Sequence, residues 1–246
     1  MPKLAVNGLS MYYESDGAGS SVLFIPGALG TGRGDFEHQL TWFSQTHQVV
    51  APDPRGYGES RPPERDYPAN FYERDADDML ALMSALGQDQ FTVFGWSDGA
   101  NIGTLMAIKA PHRVRKLVVW GGNSFLSAEE IAAFQSMRSL SSWSPREVEA
   151  MGQVYGDSLA ALWENYVAGL EVIYAAGGEI YRSQLSRVQC PTLVLHGEKD
   201  PLVPSFHPRM ICEGIPGSRL YLFPEGKHRI HAKYAAEFNE VTAAFL

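Results

Sequence analysis

The 246 residues, 45% hydrophobic and 20% charged, are enough for one large α/β core that carries a small insertion. Twenty Lys+Arg against 28 Asp+Glu leave a net charge of −8 without basic blocks, which argues against nucleic-acid or anionic-membrane partners and leaves a cationic small molecule unrepelled. Cys190 and Cys212 stand in no metal-ligand spacing, and neither a leader nor an apolar run of roughly 18 residues is present, so the expectation is a soluble, cytoplasmic monomer with two buried thiols, no metal and no cofactor.

In chain order, residues 3–6 and 10–15 are β-prone runs around Asn7-Gly8, a dipeptide suited to a type I′ hairpin turn. Residues 21–25 form a continuous apolar run, as expected for a strand buried on both faces, and lead into the glycine-rich Pro26-Gly27-Ala28-Leu29-Gly30. That loop offers the backbone N–H of Ala28 or Leu29 as an oxyanion donor, and the lack of a following G-K-[ST] argues against a phosphate loop. A helix over 35–45, a strand over 48–51 and a helix over 70–86 follow, the last with Ala76, Met79, Leu80, Met83 and Leu86 on one face.

Residues 91–99, FTVFGWSDG, are a β-branched and aromatic run ending in G-x-S-x-G and passing straight into a helix-forming stretch. Strand, sharp turn and helix make Ser97 the candidate nucleophile, with the backbone N–H of Asp98 as the second oxyanion donor. After a strand over 114–120 the alternation stops. Residues 127–182 read as helices, with capping boxes at Ser127/Glu130 and Ser144/Glu147, and a stripe of Leu159, Leu162, Trp163, Tyr166, Val167 and Leu170. The expected organisation is a core domain of residues 1–123 and 185–246 with a helical cap inserted at 124–184, whose aromatics roof a pocket in one or two places.

Strands return at 192–195 and 220–223, with a helix over 204–213 between them and a final helix at the end of the chain. A serine needs a base. Of seven histidines only His228 lies in a loop after the last strand, with His231 as its rival; His196, at a strand end, reads as a buried and satisfied imidazole. Asp200 supplies the carboxylate, with Glu198 and Glu225 as alternatives, and the order Ser97, Asp200, His228 is that of the α/β-hydrolases. Asp98 is the odd residue: a fixed carboxylate beside a developing oxyanion opposes acyl transfer unless a cation offsets it. It serves either the first turn of the following helix or an ammonium group on the substrate.

DPRGYG at 53–58, GWSDG at 95–99, RVQCP at 187–191, HGEKDPLVP at 196–204 and PEGKH at 224–228 resemble the valacyclovir hydrolase, or biphenyl hydrolase-like, family of the α/β-hydrolase superfamily, nearly end to end. The resemblance implies a mostly parallel sheet flanked by helices and a triad of Ser97, Asp200 and His228. It also implies that Asp98 binds the α-amino group of an amino-acid ester. The implied activity is hydrolysis of α-amino acid esters, including aminoacyl ester prodrugs and homocysteine thiolactone. Two other readings stand beside it: a carbon–carbon bond or general ester hydrolase without amino-group selectivity, and a ligand-sensing protein on the same fold.

Overall fold

The computed structural model describes residues 2–246. Strands β1 (Lys3–Val6) and β2 (Leu9–Asp16) form the hairpin, with Asn7 and Gly8 both at positive φ (46° and 79°) as a type I′ turn demands. Strands β3 (Ser21–Ile25), β4 (Gln48–Pro52), β5 (Phe91–Trp96), β6 (Val114–Trp120), β7 (Thr192–Gly197) and β8 (Arg219–Phe223) complete an eight-stranded sheet in the order β1-β2-β4-β3-β5-β6-β7-β8. The sheet is antiparallel through β1, β2 and β4 and parallel from β4 to β8. Every residue of β3, β5 and β7 is buried, the pattern of strands covered on both faces.

The chain winds one way from β3 to β4 and the other way to β5, so the loops after β3 and β5 part at the point where the strand order reverses. Ile25 pairs with Gly95, and Trp96 with Trp120, so the carboxyl ends of β3, β5 and β6 stop close to one level and deliver their loops to a common edge.

Helix α1 (Gly32–Phe43) begins three residues before the expected start because Thr31 caps it, its hydroxyl accepting from the Gly34 amide. Helix α2 (Phe71–Ala85) matches its expected span, but its inward face is rotated: Tyr72, Asp75 and Leu82 are buried with Ala76, Met79 and Met83, while Leu80 and Leu86 lie at the margin. Helix α3 (Asp98–Lys109) follows the elbow. Between β6 and β7 lie α4 (Ala128–Ser136), α5 (Pro145–Tyr155) and α6 (Leu159–Ala175), the first two opened by the capping boxes at Ser127 and Ser144. Helix α7 (Phe206–Gly214) links β7 to β8, and the expected final helix is two, α8 (Ile230–Lys233) and α9 (Ala235–Phe245).

Apolar side chains form two cores, one on each face of the sheet. One joins α2 and α3 to the inserted helices; the other lies under α1 and α9 around Phe24, Phe36, Phe94 and Trp120. Cys190 is buried as expected, but Cys212 is only half-buried, because it sits at the margin of the inward face of α7. No helix among the described residues is long and apolar enough to cross a membrane.

Candidate active site

Ser97 holds φ 56° and ψ −120°, a conformation that L residues avoid, so its side chain stands out of the turn between β5 and α3. The strain falls on the serine; the flanking glycines are needed for a different reason. A Cβ on Gly95 would come within 2.2 Å of the Gly99 carbonyl oxygen, and one on Gly99 within 2.0 Å of that of Ile25. The two glycines let the elbow press against itself and against the end of β3.

His228 Nε2 lies 3.0 Å from Ser97 Oγ, and His228 Nδ1 lies 2.8 Å from Asp200 Oδ2. The Trp96 indole donates to the His228 carbonyl at 3.0 Å, so the residue before the nucleophile also fixes the base. Asp200 Oδ1 accepts from the amides of Leu202 and Val203. Burial pushes the Asp200 carboxyl up, but His228 and the Leu202 amide outweigh it and hold it below the usual carboxylate range. The loops after β7 and β8 touch here, a Cβ on Gly197 meeting the Gly226 carbonyl carbon at 2.4 Å. That close approach brings Asp200 within reach of His228.

The rivals fall elsewhere. His231 is buried, with the Trp120 indole donating to Nδ1 at 2.9 Å and Nε2 donating to the Asp35 carbonyl at 3.1 Å; burial drives its pKa well down and the ring is neutral. Glu198 is exposed, and exposed Glu225 pairs with Lys199. His196 is buried as expected but not satisfied. The Val203 backbone approaches the ring, yet neither nitrogen completes a bond of normal geometry among the described residues, and burial lowers its pKa.

Asp98 lines the same cleft as Ser97 and His228, and its side chain is buried. The hydroxyls of Tyr72 and Tyr166 both donate to Oδ1, at 2.7 and 2.9 Å, which leaves Oδ2 for a further donor. Burial raises the Asp98 pKa to about 6, against the opposing pull of the two tyrosines and of the Arg65 guanidinium. Arg65 is itself buried, paired with Asp75 at 2.6 Å and stacked over Tyr57 and Tyr67.

On the opposite wall, a turn closed by the Gly30 amide donating to the Gly27 carbonyl at 3.0 Å carries Ala28 and Leu29, the latter at φ 58°. Ala28 lines the cleft, whereas Leu29 packs in the core at 1% exposure. A Cβ on Gly27 would sit 3.2 Å from the Ser97 Cβ, which measures how closely this loop abuts the nucleophile. Leu126, Phe134, Trp163, Tyr166 and Leu170 supply the apolar wall from the inserted stretch. No group of three or more His, Cys, Asp or Glu among the described residues is placed to hold a metal ion.

Sequence reasoning places Tyr166 in a helical stripe of which one or two aromatics roof a pocket, as Trp163 and Tyr166 do, but gives Tyr166 no tie to Asp98 and gives no role to Tyr72 or Arg65. The available signal was the hydroxyl: a tyrosine on a buried helix face must find an acceptor, and both such faces point at Asp98.

Residues 21–168 match the alpha/beta hydrolase fold family. The chain is 45% identical over 248 residues to the serine hydrolase BPHL of Homo sapiens, covering 99% of this chain and 85% of that protein. It is 28% identical to a putative carbamate hydrolase RutD of Azorhizobium caulinodans, covering 100% of this chain and 98% of the relative. Among solved structures, a meta-cleavage product hydrolase from Pseudomonas fluorescens superposes with TM-score 0.84 at 18% identity, covering 100% of this chain and 97% of the other.

Proposed function

The chain belongs to the α/β-hydrolase fold family and, within it, to the biphenyl hydrolase-like serine hydrolases, enzymes acting on esters, and from that premise we propose that it cleaves esters of α-amino acids. One observation carries the reading: a buried carboxylate, one residue after the nucleophile, lines the cleft with one oxygen held by two tyrosines and the other left open. An ammonium group beside the scissile carbonyl supplies the cation that this carboxylate lacks. It also offsets the negative charge that would otherwise oppose the oxyanion.

In the proposed reaction Ser97 Oγ attacks the ester carbonyl while His228 Nε2 takes its proton, and Asp200 holds the imidazole in the tautomer that leaves Nε2 free. The carbonyl oxygen becomes an oxyanion facing the Ala28 and Asp98 amides. The C–O bond breaks as His228 returns the proton to the leaving alcohol. Water then adds to the acyl-enzyme with His228 as base, releasing the amino acid and restoring Ser97.

The test is a set of aminoacyl p-nitrophenyl esters beside their des-amino and N-acetyl counterparts. Preference for the free amine by about 10²-fold or more in kcat/KM supports the reading, since a desolvated charge pair is worth roughly 2–5 kcal/mol when one partner is removed. Equal rates across the set indicate an ester hydrolase without amino-group selectivity. Retention of ligand without turnover indicates a sensor.

A further inference from the structure

The turn that carries Ala28 is strained at Leu29, a non-glycine residue at φ 58°, and something must hold it. Three ties come from the core: the Gly27 amide donates to Asp35 Oδ2 at 3.3 Å, the Gly30 amide to the Gly27 carbonyl, and the Gly32 amide to Asp53 Oδ1 at 3.0 Å. None of them is accepted by the Leu29 carbonyl oxygen, which shares a peptide plane with the Gly30 amide. That oxygen accepts instead from the hydroxyl of Tyr155 at 2.7 Å, across 126 residues of sequence.

Tyr155 ends α5, and it is the one buried residue of that helix. Its hydroxyl also accepts from the Gly58 amide at 3.3 Å, so both roles of the oxygen are used. The ring is held by Arg61, whose guanidinium lies 4.8 Å from the ring centroid, with Nη2 donating to the Val154 carbonyl at 2.8 Å and Nε to the Gly58 carbonyl at 2.9 Å. Helix α5 thus sends a single buried side chain inward, and that side chain ends on the carbonyl of the strained residue next to Ala28.

We propose that Tyr155 is a positioning residue for acyl transfer: its hydroxyl fixes the Leu29 carbonyl and so keeps the Ala28 amide facing Ser97. This rests on Ser97 as nucleophile and on Ala28 as the oxyanion donor, and not on the amino-group reading. The Leu29 carbonyl shares its peptide plane with the Gly30 amide, and that amide donates to the Gly27 carbonyl, which shares its plane with the Ala28 amide, so fixing the first plane holds the second. An oxyanion donor acts only when it is aimed before the charge develops, so loosening it lowers the rate of chemistry and leaves ground-state binding in place.

The experiment is Tyr155→Phe, which keeps the ring and removes the donor. On an aminoacyl p-nitrophenyl ester and its des-amino analogue, kcat is expected to fall on the order of tenfold or more with KM within about twofold. The Ki of an alkylboronic acid, which forms a tetrahedral anion on the serine, is expected to weaken by a similar factor. A merely structural tyrosine would lower the thermal midpoint and leave kcat per folded molecule and the boronate Ki alone. Values within twofold of wild type for both, a loss confined to KM, or a loss confined to the amino ester would overturn the proposal. If Tyr155→Phe does not fold, Arg61→Gln is the second variant, with a smaller kcat loss of about threefold expected on both esters and an unchanged kcat counting against it. Ser97→Ala assayed alongside separates failure of the nucleophile from failure of the tyrosine.

Discussion

Tyr166, on inserted helix α6, donates its hydroxyl to Oδ1 of Asp98, the first residue of α3 in the sheet domain, at 2.9 Å. The insertion and the nucleophile elbow therefore meet on one carboxylate oxygen. Because Tyr72 of α2 donates to the same oxygen, the carboxylate cannot turn without breaking both bonds, and Oδ2 keeps a fixed direction. The charge is thereby placed without being neutralised.

His228 and His231 are expected to fail in different ways. His228→Ala should lower turnover by several orders of magnitude with little change in thermal midpoint, since one ring nitrogen faces Ser97 and the other Asp200. His231→Ala should lower the midpoint, because it orphans the Trp120 indole and opens a cavity among Phe36, Trp96 and Phe238. Thermal melts beside active-site titration with a serine-directed organophosphate check both, and equal turnover losses per titrated site would leave the base unassigned.

Asp200→Asn should keep the fold and cut kcat by up to about 10⁴, because an amide favours the wrong imidazole tautomer. Glu198→Gln and Glu225→Gln, at exposed side chains, should stay within twofold. The measurement is kcat on one activated ester for all three variants, and a near wild-type Asp200→Asn would move the acid elsewhere.

The enclosed charge of Asp98 should show in stability. Its carboxyl titrates at about 6 when folded against an ordinary value of 3.8. A raised carboxyl binds its proton more tightly in the folded state, so stability is greatest below the unfolded value and falls as pH rises through the folded one. Asn keeps an Oδ1 for the two tyrosines and carries no charge. Asp98→Asn should therefore match wild type near pH 4 and be more stable by about 1–3 kcal/mol at pH 7, a few degrees in thermal midpoint. A difference that does not grow between these pH values would show that the anion is already compensated.

The strands, the elbow, the capping boxes and the order of Ser97, Asp200 and His228 were legible because each is written in local pattern. Periodicity marks a buried strand, and G-x-S-x-G marks a place where backbone meets backbone. What surrounds Asp98 was not legible in the same way. Tyr72, Arg65 and Tyr166 stand 26, 33 and 68 residues from it and converge only through tertiary packing, with no fixed spacing to betray them. Ala28 and Leu29 are equivalent as sequence, and only the turn decides which one reaches the cleft. The inward face of α2 was misread at Leu80 and Leu82 for a related reason. Buried Asp75 and Asp78 are polar, and a pattern of apolar residues cannot count them, although their pairs with Arg65 and Arg55 let them face inward.

The pH profile is where the anchor and the relay separate. For any ester, attack needs the His228 Nε2 free to accept the Ser97 proton. An α-amino ester adds two requirements, an ionised Asp98 and a protonated substrate amine. Asp98 becomes ionised only as pH passes about 6, so the acid limb for amino esters should be steeper than for des-amino esters, with the extra loss centred there in the free enzyme. On the alkaline side, the amino ester should lose rate as its amine deprotonates, at about pH 7–8 for a free α-amino group, while the des-amino ester stays level. Asp98→Asn should remove both differences, costing amino esters about 10²-fold at the optimum and des-amino esters little. Des-amino esters have reason to gain, since the substitution removes a negative charge beside the developing oxyanion and they bring no cation to offset it. Paired profiles of both substrates on both proteins give four curves. If the two wild-type curves superpose on scaling, the Asp98 carboxylate plays no part in substrate recognition and serves the start of α3.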